Sequence, residues 1–280
     1  MKFISVTKPG IIFGNIVTVS GGFFLGSRGR FDCALLFFTM LGMSLIIAAG
    51  CILNNYIDRD IDKLMERTKH RPTATGHISS AVAIVYAILL GIAGFAILYL
   101  KTNLLTVVVS LIGLFFYVVV YSLYLKRTSV YGTVVGAIAG AVPPVVGYCA
   151  VTNRFDIGAI LLFLILALWQ MPHFYAISIY RLTDYQAASI PVLPIRKGID
   201  YTKKSMLIYI LAFTVVSVMP SFFSYTGYFY FTAALVLGLI WFFLGLKGFK
   251  TNNDRAWARN MFLFSIINIT ILSFMMAVKQ

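Results

Sequence analysis

Charge is what this sequence has least of. Only 11% of its 280 residues are Asp, Glu, Lys or Arg, and the acids number nine against 23 basic residues. A soluble domain of this length carries roughly 25% charged residues, so a water-facing globule is excluded. Cysteine is also sparse. Cys33, Cys51 and Cys149 stand apart in or beside apolar segments, with no CxxC and no metal-ligand spacing. A disulfide framework and a zinc site are therefore excluded, and the three thiols read as small buried hydrophobes.

What is abundant is hydrocarbon. The chain is 60% hydrophobic, with a mean hydropathy of +0.90. The apolar residues fall into nine blocks, close to residues 11–25, 34–53, 81–100, 104–125, 131–151, 157–179, 206–224, 228–246 and 261–278. Each is near the ~20 residues a helix needs to cross ~30 Å of hydrocarbon. The sequence thus predicts an all-α membrane protein of about nine transmembrane helices, forming one domain over residues 1–280. Pro143 and Pro144 fall inside the fifth block and predict a kink there. The first block follows Lys2 and Lys8 like a signal peptide, but Asn15, Gly21 and Gly22 make a poor cleavage pattern, so it reads as a first helix.

The net charge of +14 raises nucleic acid as a partner. The basic residues form no continuous face, however, and sit in short loops between apolar runs, which argues for topology and against nucleic acid. With the N-terminus in the cytoplasm, 18 Lys and Arg lie in cytoplasmic segments. Five lie outside, namely Arg28, Arg30, Lys101, Arg154 and Lys279. That bias predicts N-in, C-out; the membrane expected is the bacterial cytoplasmic (inner) membrane. Seven of the nine acids share the inner side, which the rule for Lys and Arg does not explain. Two inner loops, about 54–80 and 173–204, hold the chemistry.

In the first loop Asn54, Asp58 and Asp62 recur at i, i+4 and i+8 and so line one helix face, with Asn55 one turn from Asp58. Carboxylates one turn apart repel, and oxygen ligands suit Mg²⁺, which bridges carboxylates to substrate phosphates. Arg67, Lys69 and Arg71 follow as a basic cluster able to hold phosphate oxygens. Ladder and cluster together describe a diphosphate site. The bland alternative is a solvated helix end whose acids pair with Arg59, Lys63 and Arg67, and Asp60, on another face, is expected to do so. In the second loop His173, Tyr180, Arg181 and Asp184 recur as one helical face, with Tyr185 beside them. Polar groups at a membrane helix end face a cavity or pair with each other. A lone histidine such as His173 is also a common structural hydrogen-bonder. Arg71-Pro72 before Gly76, and Pro194-Ile195-Arg196-Lys197 before Gly198, are a weak internal echo.

Both loops resemble those of the intramembrane prenyltransferase (UbiA) superfamily. Its first motif, Asn-Asp-x-x-Asp-x-x-x-Asp, corresponds here to Asn54-Asn55-x-x-Asp58-x-x-x-Asp62. Asn55 replaces an Asp, leaving one carboxylate fewer. The second motif is poorer in acids than usual, with Asp184 as its clear carboxylate. Thr7-Lys8-Pro9-Gly10, Trp169-Gln170-Met171-Pro172-His173-Phe174, Ile190-Pro191-Val192-Leu193-Pro194 and Asp254-Arg255-Ala256-Trp257-Ala258-Arg259 are similar to the haem-farnesylating branch. That resemblance implies farnesyl transfer from farnesyl diphosphate to a vinyl group of haem B, with addition of water, giving haem O for haem–copper oxidase assembly. It implies Mg²⁺ held by Asn54, Asn55, Asp58, Asp62 and Asp184. Diphosphate would be held by Arg67, Lys69, Arg71, Lys126, Arg127 and Arg181. Tyr117, Tyr121 and Phe174 are candidates to face the allylic cation, and His173, Tyr180 and Tyr185 form a candidate haem or acceptor site. Two rival readings are an aromatic-acceptor prenyltransferase and a secondary transporter. The transporter is disfavoured because the polar clusters lie at one face only.

Overall fold

The structure is a computed structural model describing residues 2–278; Lys279, counted above with the outer charges, lies outside the described residues. Nine helices of membrane-spanning length and hydropathy occur among those residues. They are α1 (Pro9–Ser27), α2 (Cys33–Ile57), α3 (Ser80–Lys101), α4 (Leu104–Thr128), α5 (Gly132–Thr152), α6 (Ile157–Tyr180), α7 (Ile199–Phe222), α8 (Tyr228–Lys250) and α9 (Asp254–Met275). Local chemistry starts several of them. Asp32, Ser79, Asn103, Asp156 and Asn253 each accept a backbone N–H of the following first turn.

The outward faces are hydrocarbon. Ile88, Leu89 and Ile92 on α3, Leu104, Leu111 and Phe115 on α4, and Ile208 and Val215 on α7 are all exposed. The interior holds the polar groups, including Asn54, Asn55, Asp58, Asp62, Gln170 and Asn268. Such an inside-out distribution is stable only where lipid is the solvent, and the chain is an integral membrane protein.

The second half of α5 is the packing centre. Residues 142–150 are buried without interruption, in contact with α1, α2, α4 and α6. Glycines allow this. A Cβ built at Gly22 would lie 1.8 Å from the Pro144 carbonyl oxygen, and one at Gly147 would lie 2.0 Å from that of Val19. The α1 and α5 backbones therefore touch directly, the close approach that small residues permit in membranes. The neighbours α6 to α9 pack in sequence, and α9 returns to α1.

The interruption expected at the proline pair takes the form of a break just ahead of it: the helix stops at Gly140 and restarts at Val142, with the prolines in its first turn, where no helical N–H is lost. Three sequence expectations are corrected. The seventh span begins at Ile199 and the ninth at Asp254, each seven residues early. Their polar beginnings pair with one another, since Lys203 Nζ lies 2.6 Å from Asp254 Oδ1. Finally, α6 ends at Tyr180, and Asp184 lies on a separate helix, Leu182–Ala187. His173 and Asp184 do not share one helical face. The echo between the loops has a backbone counterpart, because Gly76 (φ 77) and Gly198 (φ 86) both turn through the left-handed region before a span.

Candidate active site

The acidic ladder forms as its spacing dictates. The Asp58 N–H donates to the Asn54 carbonyl at 2.9 Å and the Asp62 N–H to that of Asp58 at 2.8 Å. The i, i+4 register thus survives the change from α2 to the short helix Arg59–Asp62. All four oxygen-bearing side chains, Asn54, Asn55, Asp58 and Asp62, are buried. Buried carboxylates need cations, and three elements supply them. Lys126, at the end of α4, pairs with Asp58. Arg71 donates to both Asp62 oxygens, at 2.9 and 2.8 Å. Lys8 donates to Asn54 Oδ1 at 2.5 Å, from a left-handed backbone conformation (φ 56) just ahead of Pro9. Burial holds the Lys8 ammonium down to about 8, with Arg71 and Lys126 pushing the same way and Cys51 and Asp58 opposing.

Asp60 sits on the other face, as expected, but its partner is a correction. It accepts from Arg127 at 2.6 and 2.7 Å, and not from Arg59, Lys63 or Arg67. That bond holds its carboxyl down to about 2. Arg127 also donates to the Ile57 carbonyl at 2.7 Å, so it braces the end of α2.

Two buried oxygens of the ladder meet no donor at all, Asn55 Oδ1 and Asp58 Oδ1. The Asn55 amide N–H₂ is fixed by the Val6 carbonyl at 2.8 Å, which directs its oxygen away from that carbonyl. Orphaned buried acceptors are costly and rare in a finished interior, and here they stand one turn apart on one face. Their chemistry fits a hard cation. Among the described residues no three His, Cys, Asp or Glu side chains converge as a metal cluster, so a cation here depends on amide oxygen as well as carboxylate. Asp184 is directed elsewhere, accepting the Glu66 N–H at 2.9 Å and tying the second loop to the first.

Residues 116–125 of α4 wind as a π-helix, a form concentrated at functional sites. The wider turn lets Ser122 Oγ donate to the Tyr117 carbonyl at 2.8 Å and accept from the Asn54 amide at 3.0 Å. Tyr117 and Tyr121 stack with ring centroids 6.2 Å apart, and Tyr121 lies within the fields of Asp58 and Arg67. Tyr185 is near Arg67, Lys126 and Asp184, and burial pushes its phenol up.

The remaining candidates lie apart from this cluster or are engaged elsewhere. Lys69 pairs with Glu66 at 2.7 Å on the surface. Arg181 lies over the Tyr180 ring at 4.5 Å, with Arg255 at 5.7 Å from the same ring. His173 reaches α9, where Nδ1 is 2.6 Å from Ser265 Oγ, and its ring stacks on Trp169 at 4.6 Å. Phe174 is edge-on to His173 at 5.5 Å. His77 bonds Thr75 on an exposed turn. Sequence reasoning missed Lys8, Ser122 and Ser265. Lys8 had a signal, a cation directly before the first span, whereas the serines had none.

Comparison with known proteins agrees with this geometry. Residues 15–267 match the UbiA prenyltransferase family. A protoheme IX farnesyltransferase of Yersinia pseudotuberculosis is 54% identical over 277 residues, covering 99% of this chain and 94% of its own length. One of Photorhabdus laumondii is 53% identical over the same coverage. Among solved structures, a digeranylgeranylglyceryl phosphate synthase superposes with a TM-score of 0.79 at 17% identity, over 98% of this chain and 96% of that one. A UbiA homologue from Archaeoglobus fulgidus bound to GPP and Mg²⁺ gives 0.73 at 16%, over 99% of both. With motif, fold and sequence in agreement, the chain belongs to the UbiA prenyltransferase family.

Proposed function

We propose that this chain transfers the farnesyl group of farnesyl diphosphate to a vinyl group of haem B. The allylic C–O bond breaks, the farnesyl carbon bonds the vinyl terminus, and water adds to the adjacent carbon with loss of a proton. The products are haem O and diphosphate. The protoheme IX farnesyltransferases that share over half of this sequence support the choice of donor and acceptor. The observation that carries the site is the pair of open buried oxygens, Asn55 Oδ1 and Asp58 Oδ1, set among cations.

Asn55, Asp58 and Asp62 would hold Mg²⁺, with Asn54 and Asp184 around them, a reading supported by the GPP and Mg²⁺ bound to the archaeal homologue. When bound, the ion supplies positive charge against the diphosphate as it leaves. Lys126 and Arg71 are already held over the ladder by Asp58 and Asp62, so they meet an incoming diphosphate with little reorganisation. Arg67, which has no ion pair among the described residues, and Lys8 add further positive charge, while Lys69, Arg127 and Arg181 would have to turn from Glu66, Asp60 and the Tyr180 ring to reach the diphosphate. The stacked Tyr117 and Tyr121 rings present π-faces to the developing allylic cation. No protein nucleophile is required, because the vinyl group is the nucleophile.

The chain works as one transmembrane unit over residues 1–280. We orient the ladder towards the cytoplasm of a bacterial inner membrane, N-in and C-out, on the 18-to-5 distribution of basic residues. Contacts already gather Lys8, Asp58, Arg71, Lys126 and Asp184 at one end of the bundle. Haem O leaving this site would feed haem–copper oxidase assembly. The test is an assay of the purified protein with haem B, farnesyl diphosphate and Mg²⁺, with products weighed by mass spectrometry. A farnesylated, hydrated haem that is lost in Asp58→Ala and Asp62→Ala supports the reading. Farnesyl transfer to an aromatic acid alone would overturn the acceptor, and absence of diphosphate release would overturn the reaction.

A further inference from the structure

Two residues one turn apart on α6 converge on a single residue of α9. Trp169 Nε1 donates to the Ser265 carbonyl at 2.8 Å, and His173 Nδ1 lies 2.6 Å from Ser265 Oγ. Ser265 Oγ is also 2.6 Å from the Phe262 carbonyl oxygen. A serine hydroxyl has one proton and two lone pairs. Were that proton turned to His173, two oxygens would face each other at 2.6 Å with no hydrogen between them. Given to Phe262, it leaves Ser265 Oγ to accept a proton from His173 Nδ1, and every contact is satisfied. The neutral ring then carries its lone pair on Nε2, which makes no hydrogen bond to any described residue.

The ring is also fixed in direction. Trp169 stacks on it at 4.6 Å and 25°, while Phe262 lies at 5.0 Å and Phe174 at 5.5 Å. His173 follows the lipid-exposed Leu164 by nine residues, roughly half a revolution at about 100° per residue. It therefore points into the bundle, where Trp169 and Tyr180 share its face and all three are half-buried. The half-buried ring keeps part of its surface accessible on that inward face. An imidazole whose Nδ1–H is donated to a fixed acceptor and whose Nε2 is bare is the arrangement that metal-binding histidines adopt.

We propose that Ser265 is a positioning residue that locks His173 in the Nδ1–H tautomer, so that Nε2 ligates the iron of a porphyrin acceptor. This rests on the haem reading above and adds which nitrogen binds, what orients it, and that α6 and α9 form the acceptor side. The diphosphate ladder is built separately, from α2, α4 and the 63–79 loop.

The test is resonance Raman and optical spectroscopy of the purified protein with haem B, without farnesyl diphosphate or Mg²⁺. An iron–imidazole stretching band is expected in the ferrous form, absent in His173→Gly and recovered there by added imidazole. Ser265→Ala should move that band to lower frequency and weaken haem binding roughly tenfold, and Ser265→Thr, which keeps the hydroxyl, should restore both. A merely structural serine would not move the band. Asp58→Ala should retain the wild-type spectrum while losing transfer. A band that persists in His173→Gly without imidazole, or that is unmoved in Ser265→Ala, overturns the proposal while leaving farnesyl transfer standing. If the wild-type protein binds no haem, both readings fail together.

Discussion

Lys126 and Arg127 are adjacent, and each pairs with an aspartate beyond α2, yet the structure gives them unequal weight. The Asp58 side chain is 0% exposed and Lys126 14%, against 62% for Asp60 and 34% for Arg127. Removing one partner of a buried pair strands a charge and costs about 3–5 kcal/mol. An exposed pair contributes about 0–1 kcal/mol, because water screens it. Lys126→Met is therefore expected to destabilise the protein by at least about 3 kcal/mol and Arg127→Met by about 1 kcal/mol. At roughly 2–4 °C per kcal/mol for a chain of this size, the midpoints fall by about 6–12 °C and by about 4 °C or less. The stranded Asp58 has a second consequence. With Lys126 gone, both Asp58 oxygens are open to a cation, and Mg²⁺ at 100 times its Kd would restore about 2.7 kcal/mol. Thermal unfolding in detergent, with EDTA or with Mg²⁺, measures both effects. Equal losses in the two variants, or no Mg²⁺ rescue of Lys126→Met, would refute the reasoning.

Asn55→Asp adds a carboxylate where the first family motif carries one. It should lower the Mg²⁺ concentration for half-maximal diphosphate release, while the metal-free protein loses about 1–3 kcal/mol because the Val6 carbonyl loses its donor. An unchanged Mg²⁺ titration would remove position 55 from the site. Gly22→Ala drives a methyl into the Pro144 carbonyl and should cost about 3 kcal/mol or more. Gly14→Ala, with nothing within 4 Å, should be neutral or slightly stabilising; similar melting curves for the two would contradict the direct α1–α5 backbone contact. Asp184→Ala releases the Glu66 N–H. Trypsin should then cut at Lys63, Arg67 and Lys69 several-fold faster, and the KM for farnesyl diphosphate should rise; an unchanged cleavage rate would show that Asp184 does not anchor this loop.

The sequence alone determined what depends on neighbours along the chain. Nine apolar runs specify nine spans because crossing hydrocarbon is a matter of local length and polarity. The ladder was equally legible, since a four-residue spacing fixes one helix face wherever the helix lies. The beginnings of α7 and α9 were hidden because Asp200, Lys203 and Asp254 look like loop until Lys203 and Asp254 are seen to neutralise each other. Only the tertiary structure decided who pairs with whom. Asp58 and Lys126 are 68 residues apart, His173 and Ser265 92. The π-helical turn that brings Ser122 to Asn54 leaves no mark in composition. Pairings of that kind are set by how helices cross, and the α1–α5 contact at Gly22 and Gly147 fixes one crossing for reasons of backbone volume. The sequence states which groups must be buried together; the packing of the spans decides which of them meet.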